Sequence, residues 1–212
     1  MPDTTADLLT LTQWLSPAFP VGGFAYSHGL EWAIASGDLA GPGVAEWVAD
    51  ILRFGAGRTD AILLCHAMRP ETDLTTLNDL ACALAPGAER LTESRDQGTA
   101  FATAVSALGR NVPPCLLPVA VGAAARTLSL PPATVAALYL HAFAATIIAA
   151  AVRFVPLGQT EGQRITAHLH PLIKTIAEKA ADTSLDNISG AAIGGDIASM
   201  RHETLHTRIF RT

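Results

Sequence analysis

The sequence predicts an all-α fold, a single-domain bundle of roughly eight to ten helices over residues 1–212, on three observations. Apolar residues recur at helical spacing along most of the chain. Sustained period-2 alternation is absent and β-branched runs are few. Proline and glycine fall at intervals that cut the chain into helix-sized lengths.

Taken in order, Leu8, Leu11 and Leu15 suit one face of a short first helix. It cannot continue through Ser16–Gly23, where Pro17 and Pro20 remove donors and Gly22 and Gly23 free the backbone. Phe24 to Ser36 reads as a second helix closed by Gly37. Val44 to Met68 reads as one long helix, loosened at Gly55 and Gly57 and stopped by Pro70. Thr72 or Asp73 caps the next, which Pro86 and Gly87 end. Glu89 to Leu108 is amphipathic, and Pro113, Pro114 and Pro118 mark a break. Val119–Thr127 and Ala133–Phe154 are apolar helices. Gly158 opens another, with Thr160 placed to cap it and Pro171 placed to kink or split it. Ser184–Gly195 is loop-like, and Asp196 to about Arg208 is the last helix.

Composition narrows the function. The 212 residues carry a formal charge of −5, and only 16% are charged against half that are hydrophobic. That excludes a disordered chain and opposes nucleic-acid binding, since an acidic balance repels phosphates. The first basic residue is Arg53, while Asp3 and Asp7 stand near the start, so no export signal is expected and the chain is placed in the cytoplasm. Cys65, Cys82 and Cys115 form no pair pattern and read as free thiols. From Asn111 to Val152 the single formal charge is Arg126. Ala133–Val152 has the length of a membrane span, but its many alanines gain little on insertion, which favours a buried core helix over a membrane subunit. Residues 1–52 hold six acids and no Lys or Arg, whereas the last twelve hold Arg201, Arg208 and Arg211. An acidic end and a basic end suit different partners.

The most enzyme-like motif is His202-Glu203-Thr204-Leu205-His206, an H-E-x-x-H pattern. On a helix the two imidazoles would share a face and hold Zn²⁺, with Glu203 as general base of a metallopeptidase. A third ligand is required, none follows His206, and Arg201 and Arg208 bracket the pair with positive charge. His202 and His206 are therefore weak metal candidates. His168 and His170, two apart, point to opposite sides of a helix and cannot chelate in the usual i, i+4 way. No P-loop, nucleophile elbow or dinucleotide fingerprint occurs, so no catalytic residues are assigned.

Three segments combine unusual local chemistry with no catalytic geometry: Pro17–Trp32, rich in aromatics among Pro and Gly, Val155–Gln163, and Arg201–Thr212. There the sequence resembles the urease accessory protein UreF family. Pro20, Gly22, Gly23, Phe24, Ser27, Gly29, Leu30 and Glu31 resemble its Pro-x-Gly-Gly-aromatic-x-x-Ser-x-Gly-Leu-Glu signature. Arg95, Gly98 and Phe101 resemble its Arg-x-x-Gly-x-x-Phe helix, and Arg153 through Gln159 its basic-x-Val-Pro-apolar-Gly-Gln stretch. Arg201, His202 and Glu203, with Arg208, Ile209, Phe210, Arg211 and Thr212, resemble its closing Arg-His-Glu…Arg-Leu-Phe-Arg-Ser, with Ile and Thr as departures. The resemblance implies an all-α homodimer without enzymatic activity, a chaperone in assembly of the urease nickel centre. It implies partners: the accessory protein UreD (also called UreH), the GTPase UreG and apo-urease, and neither nucleic acid nor membrane. It implies no cofactor of the chain's own, with nickel handled by the complex and GTP bound by the GTPase. The partner-binding residues would be those of the first and last segments with Arg153 and Gln159, the tail docking the GTPase and the aromatic loop shaping the dimer or the bridge. The family pattern does not require His206.

Overall fold

The computed structural model describes residues 4–211, and within them every regular element is a helix or a 3₁₀ turn. Asp3 and Thr212 lie outside the described residues. There are ten α-helices: α1 Thr4–Trp14, α2 Leu30–Ala35, α3 Val44–Phe54, α4 Ala56–Ala67, α5 Leu74–Ala83, α6 Ala88–Ala107, α7 Leu117–Ala125, α8 Pro132–Phe154, α9 Gln159–Asp182 and α10 Ile193–His202.

α4 lies at the centre, with α3, α7, α8 and α9 packed against it. All of Ala61 to Ala67 is buried, including Cys65, whose thiol burial pushes up to about 12 and so leaves unreactive. α8 is long and apolar enough to cross a membrane, but half of its most apolar stretch is buried by other helices, chiefly α9. This is how a nearly chargeless segment serves as core. α6 crosses the start of α7 at Gly98, where an added Cβ would stand 1.9 Å from the Cys115 carbonyl oxygen. Only a residue without a side chain permits that approach.

Several expected boundaries move. The second helix begins at Leu30, not Phe24, because His28 (φ 54°) and Gly29 (φ 74°) take left-handed backbone that no α-helix contains. Residues 23–25 form an isolated 3₁₀ turn instead. The long third segment is two helices, α3 and α4, broken at Gly55 (φ −110°, ψ −142°). Of the expected face of α1, Leu11 is buried and Leu15, just past the helix end, packs against the core, while Leu8 is more than a third exposed and Trp14 is buried in addition. Asp73 does cap α5, accepting from the Thr75 and Thr76 N–H groups. At α9 the cap is Gly158 and Thr160 is already inside, while the helix runs unbroken past Pro171. The last helix ends at His202, six residues early, and 203–211 turn back across the molecule.

Candidate functional site

The first and last of the three segments singled out in the sequence meet at one place, beside Arg153 and Phe154 at the end of α8, a hub where the closing stretch folds over the start of α2 and of α6. Gly29 makes this possible: its left-handed φ turns the chain into α2, and an added Cβ would lie 2.6 Å from the Ser199 nitrogen of α10. Glu31, in the first turn of α2, is 3% exposed. One carboxylate oxygen accepts from the Ile209 N–H at 2.7 Å. The other accepts from the Phe210 N–H at 2.9 Å and faces His202 Nε2 at 3.0 Å. The opposite ring nitrogen, Nδ1, faces Glu89 Oε2 at 2.8 Å. His202 is wholly buried between the two carboxylates. Both of its nitrogens thus face carboxylate oxygens, one from α2 and one from α6.

Glu89 also receives the Arg208 guanidinium, which donates in addition to the Glu203 and Leu205 carbonyls. Glu203 accepts from the Ala88 and Glu89 N–H groups at 3.0 and 3.3 Å. It thereby caps α6, whose own N-cap, Gly87, has no side chain to do so. Phe210 is buried beneath Arg153, whose guanidinium lies 4.8 Å from the ring centre, and edge-on to Phe154. Arg153 also donates to the Phe24 carbonyl at 2.7 Å, and the Arg211 N–H donates to the Ala25 carbonyl at 2.7 Å. The aromatic loop is thus tied to the closing stretch by a main-chain bond and to the end of α8 by the Arg153 side chain. Of the basic last part, Arg208 pairs with Glu89 of α6, while Glu31 of the acidic first part holds the Ile209 and Phe210 N–H groups and His202.

Exposed at the hub are Arg201, stacked over Trp32 at 5.4 Å, together with Arg208, Arg211 and Phe24, the last with 69% of its surface free. Pro20 and Gln159 are also exposed, Gly22 and Gly23 half-buried, and Ser27, Gly29 and Leu30 buried. A cleft of about 500 Å³ opens between α6 and the closing stretch, lined by Glu89, Asp96, Glu203, Arg208 and Arg211 among others.

Beneath the hub runs a buried polar network that sequence reasoning missed. Arg90 donates to Asp60 at 2.8 Å, Tyr139 donates to the same carboxylate at 2.8 Å, and Glu93 lies against His28 at 3.1 Å and accepts from Gln97 at 3.0 Å. Burial pushes the Asp60 carboxyl up, with Arg90 opposing it. Burial also pushes up the Tyr139 hydroxyl. Burial works to lower the Arg90 guanidinium, but Glu93 and Asp60 outweigh it and raise it further.

The H-E-x-x-H pattern does not form a chelate. α10 ends on His202, Glu203 is its C-cap, and His206 lies beyond the helix, exposed. The two carboxylates at His202 sit on opposite nitrogens, so they cannot converge with it on one ion. Among the described residues no group of three or more His, Cys, Asp or Glu side chains is placed to hold a metal.

Comparison with known proteins gives consistent results. The family model described as UreF matches residues 42–170. A urease accessory protein UreF from Cereibacter sphaeroides (strain ATCC 17025 / ATH 2.4.3) is 62% identical over 97% of the chain and 98% of its own length. A urease accessory protein UreF from Jannaschia sp. (strain CCS1) is 50% identical over 98% and 96%. One from Ruegeria pomeroyi is 44% identical over 99% and 98%. The family model stops short of residues 20–31 and 201–211, but these relatives are aligned over nearly the whole chain.

Proposed function

The chain belongs to the UreF family of urease accessory proteins, and from that premise we propose that it is a non-catalytic scaffold in maturation of the urease nickel centre. In this reading it acts as a cytoplasmic homodimer that bridges UreD/UreH and the GTPase UreG on apo-urease. It carries no cofactor of its own. Nickel passes through the complex as cargo, and the nucleotide site belongs to the GTPase.

The observation that carries this reading is the hub. The closing stretch is held by main-chain bonds to Glu31 and Ala25, while Arg201 and Arg211 stand exposed at its surface and the Arg208 guanidinium is spent on Glu89, Glu203 and Leu205. Forked guanidinium donors on a fixed frame suit carboxylates of a partner protein. In this reading His202, Glu203 and Phe210 act from inside, as the frame. Arg201 and Arg211 are the docking groups, and Arg208 holds the closing stretch to Glu89. Phe24, with Pro20, Gly22 and Gly23, serves the dimer or the second accessory protein, and Gln159 flanks that surface.

Co-purification with UreG in the presence of UreD/UreH tests it. Arg211→Ala changes an exposed side chain whose main-chain bond to Ala25 persists. It is expected to lower recovery of the GTPase while the far-UV circular dichroism and size-exclusion profile stay those of the wild type. Wild-type recovery from both Arg201→Ala and Arg211→Ala overturns the docking assignment.

A further inference from the structure

Two imidazoles meet across the seam between α8 and α9, on groups that the hub does not use. His141 comes from the middle of α8 and His170 from α9, with ring centres 5.4 Å apart and planes inclined at 54°. His141 is half-buried and lines a largely apolar cavity of about 460 Å³ between α8, α6 and the end of α1, while His170 is exposed. No formal charge occurs from Thr127 to Val152, so α8 brings none near the pair. On α9 the cation one turn on, Lys174, is directed at Glu178 at 3.8 Å.

The separation is a few tenths of an ångström longer than that of a bridged pair. A cation bonded at about 2.1 Å to one nitrogen of each ring puts the ring centres about 4.5 Å apart at a right angle and about 5.2 Å apart at a tetrahedral one. Closing from 5.4 Å takes a few tenths of an ångström, within the reach of an exposed His170 side chain. A cross-helix pair is also what sequence spacing conceals: the conspicuous pair was His168 and His170, yet His170 finds its neighbour 29 positions upstream.

We propose that His141 and His170 form an open two-histidine seat for a divalent cation of the borderline class, Ni²⁺ or Zn²⁺, with water completing its coordination. Imidazole selects this class over hard cations such as Mg²⁺, which prefer oxygen. Two protein ligands leave several positions to water, so the bound ion exchanges readily.

Calorimetric titration of the purified full chain with NiCl₂ and, separately, MgCl₂ tests the proposal, with Co²⁺ absorption as a probe of nitrogen coordination. Wild type is expected to bind Ni²⁺ and not Mg²⁺. His141→Ala and His170→Ala are each expected to weaken Ni²⁺ by about tenfold or more and to abolish the cobalt spectrum. His168→Ala and His206→Ala, both at exposed positions, are expected to stay within about twofold of wild type. His170 is exposed, so its variant keeps the fold, checked by circular dichroism. No nickel binding by wild type, unchanged affinity in His170→Ala, or loss of the site in His206→Ala instead overturns the proposal.

Discussion

At Glu31 one buried carboxylate serves two main-chain N–H groups and an imidazole. Removing it strands all three, so Glu31→Ala is expected to lower stability by about 3–5 kcal/mol, the range for breaking a buried pair from one side. Urea unfolding reads that as a shift in midpoint at constant slope. Asp60 supplies a pH prediction. Its carboxyl is raised by burial, so the folded chain holds that proton to higher pH than the unfolded chain does. The associated stability is fully present below the unfolded value near 3.9 and is lost as pH rises through the raised folded value. Asp60→Asn removes this titration, so the difference in urea midpoint between variant and wild type is expected to change across that window and flatten above it. Residue roles were unevenly legible beforehand. Glu31 and His202 stood out through their motifs, but their mutual contact did not, because 171 positions separate them. Glu89 gave no signal at all. An acid in the first turn of a helix is ordinary pattern, favoured there by the helix dipole, and nothing local marks one that also grips a distant histidine and arginine.

Among elements, α6 has its first turn capped from the far end of the chain. Glu203→Ala removes the cap and is expected to cost about 1 kcal/mol, seen as faster amide exchange at Ala88 and Glu89 than at the centre of α6. Gly98→Ala drives a methyl into the Cys115 carbonyl. It is expected to destabilise by about 1–3 kcal/mol or more, with a thermal midpoint lowered by about 2–4 °C per kcal/mol. The existence of most helices was readable from apolar spacing and from Pro and Gly. Their ends were less so, for physical reasons specific to each. Apolar periodicity through Phe24–Ser36 cannot reveal that His28 adopts φ 54°. Gly55 and Gly57 looked alike in sequence, yet the break falls at Gly55 alone. Past His202 the chain turns instead to bring the Ile209 and Phe210 N–H groups to Glu31, tertiary bonds that local pattern does not show.

For the whole molecule, low charge and abundant alanine resolve into close helix packing around α4, with buried charged groups concentrated in the hub and the network below it. The closing stretch is also the piece that the rest of the fold waits for. Glu31 and Glu89 leave the ribosome long before His202 and Glu203 do, and at synthesis rates of about 5–20 residues per second the interval is many seconds. Through that interval Glu31 of α2 and the first turn of α6 lack the groups that bond and cap them. The exposed arginines therefore reach their final positions only when the distant halves of the hub join, and a chain interrupted before residue 202 displays neither the frame nor the docking groups. In a polysome, partner recruitment through this surface would report on completed chains.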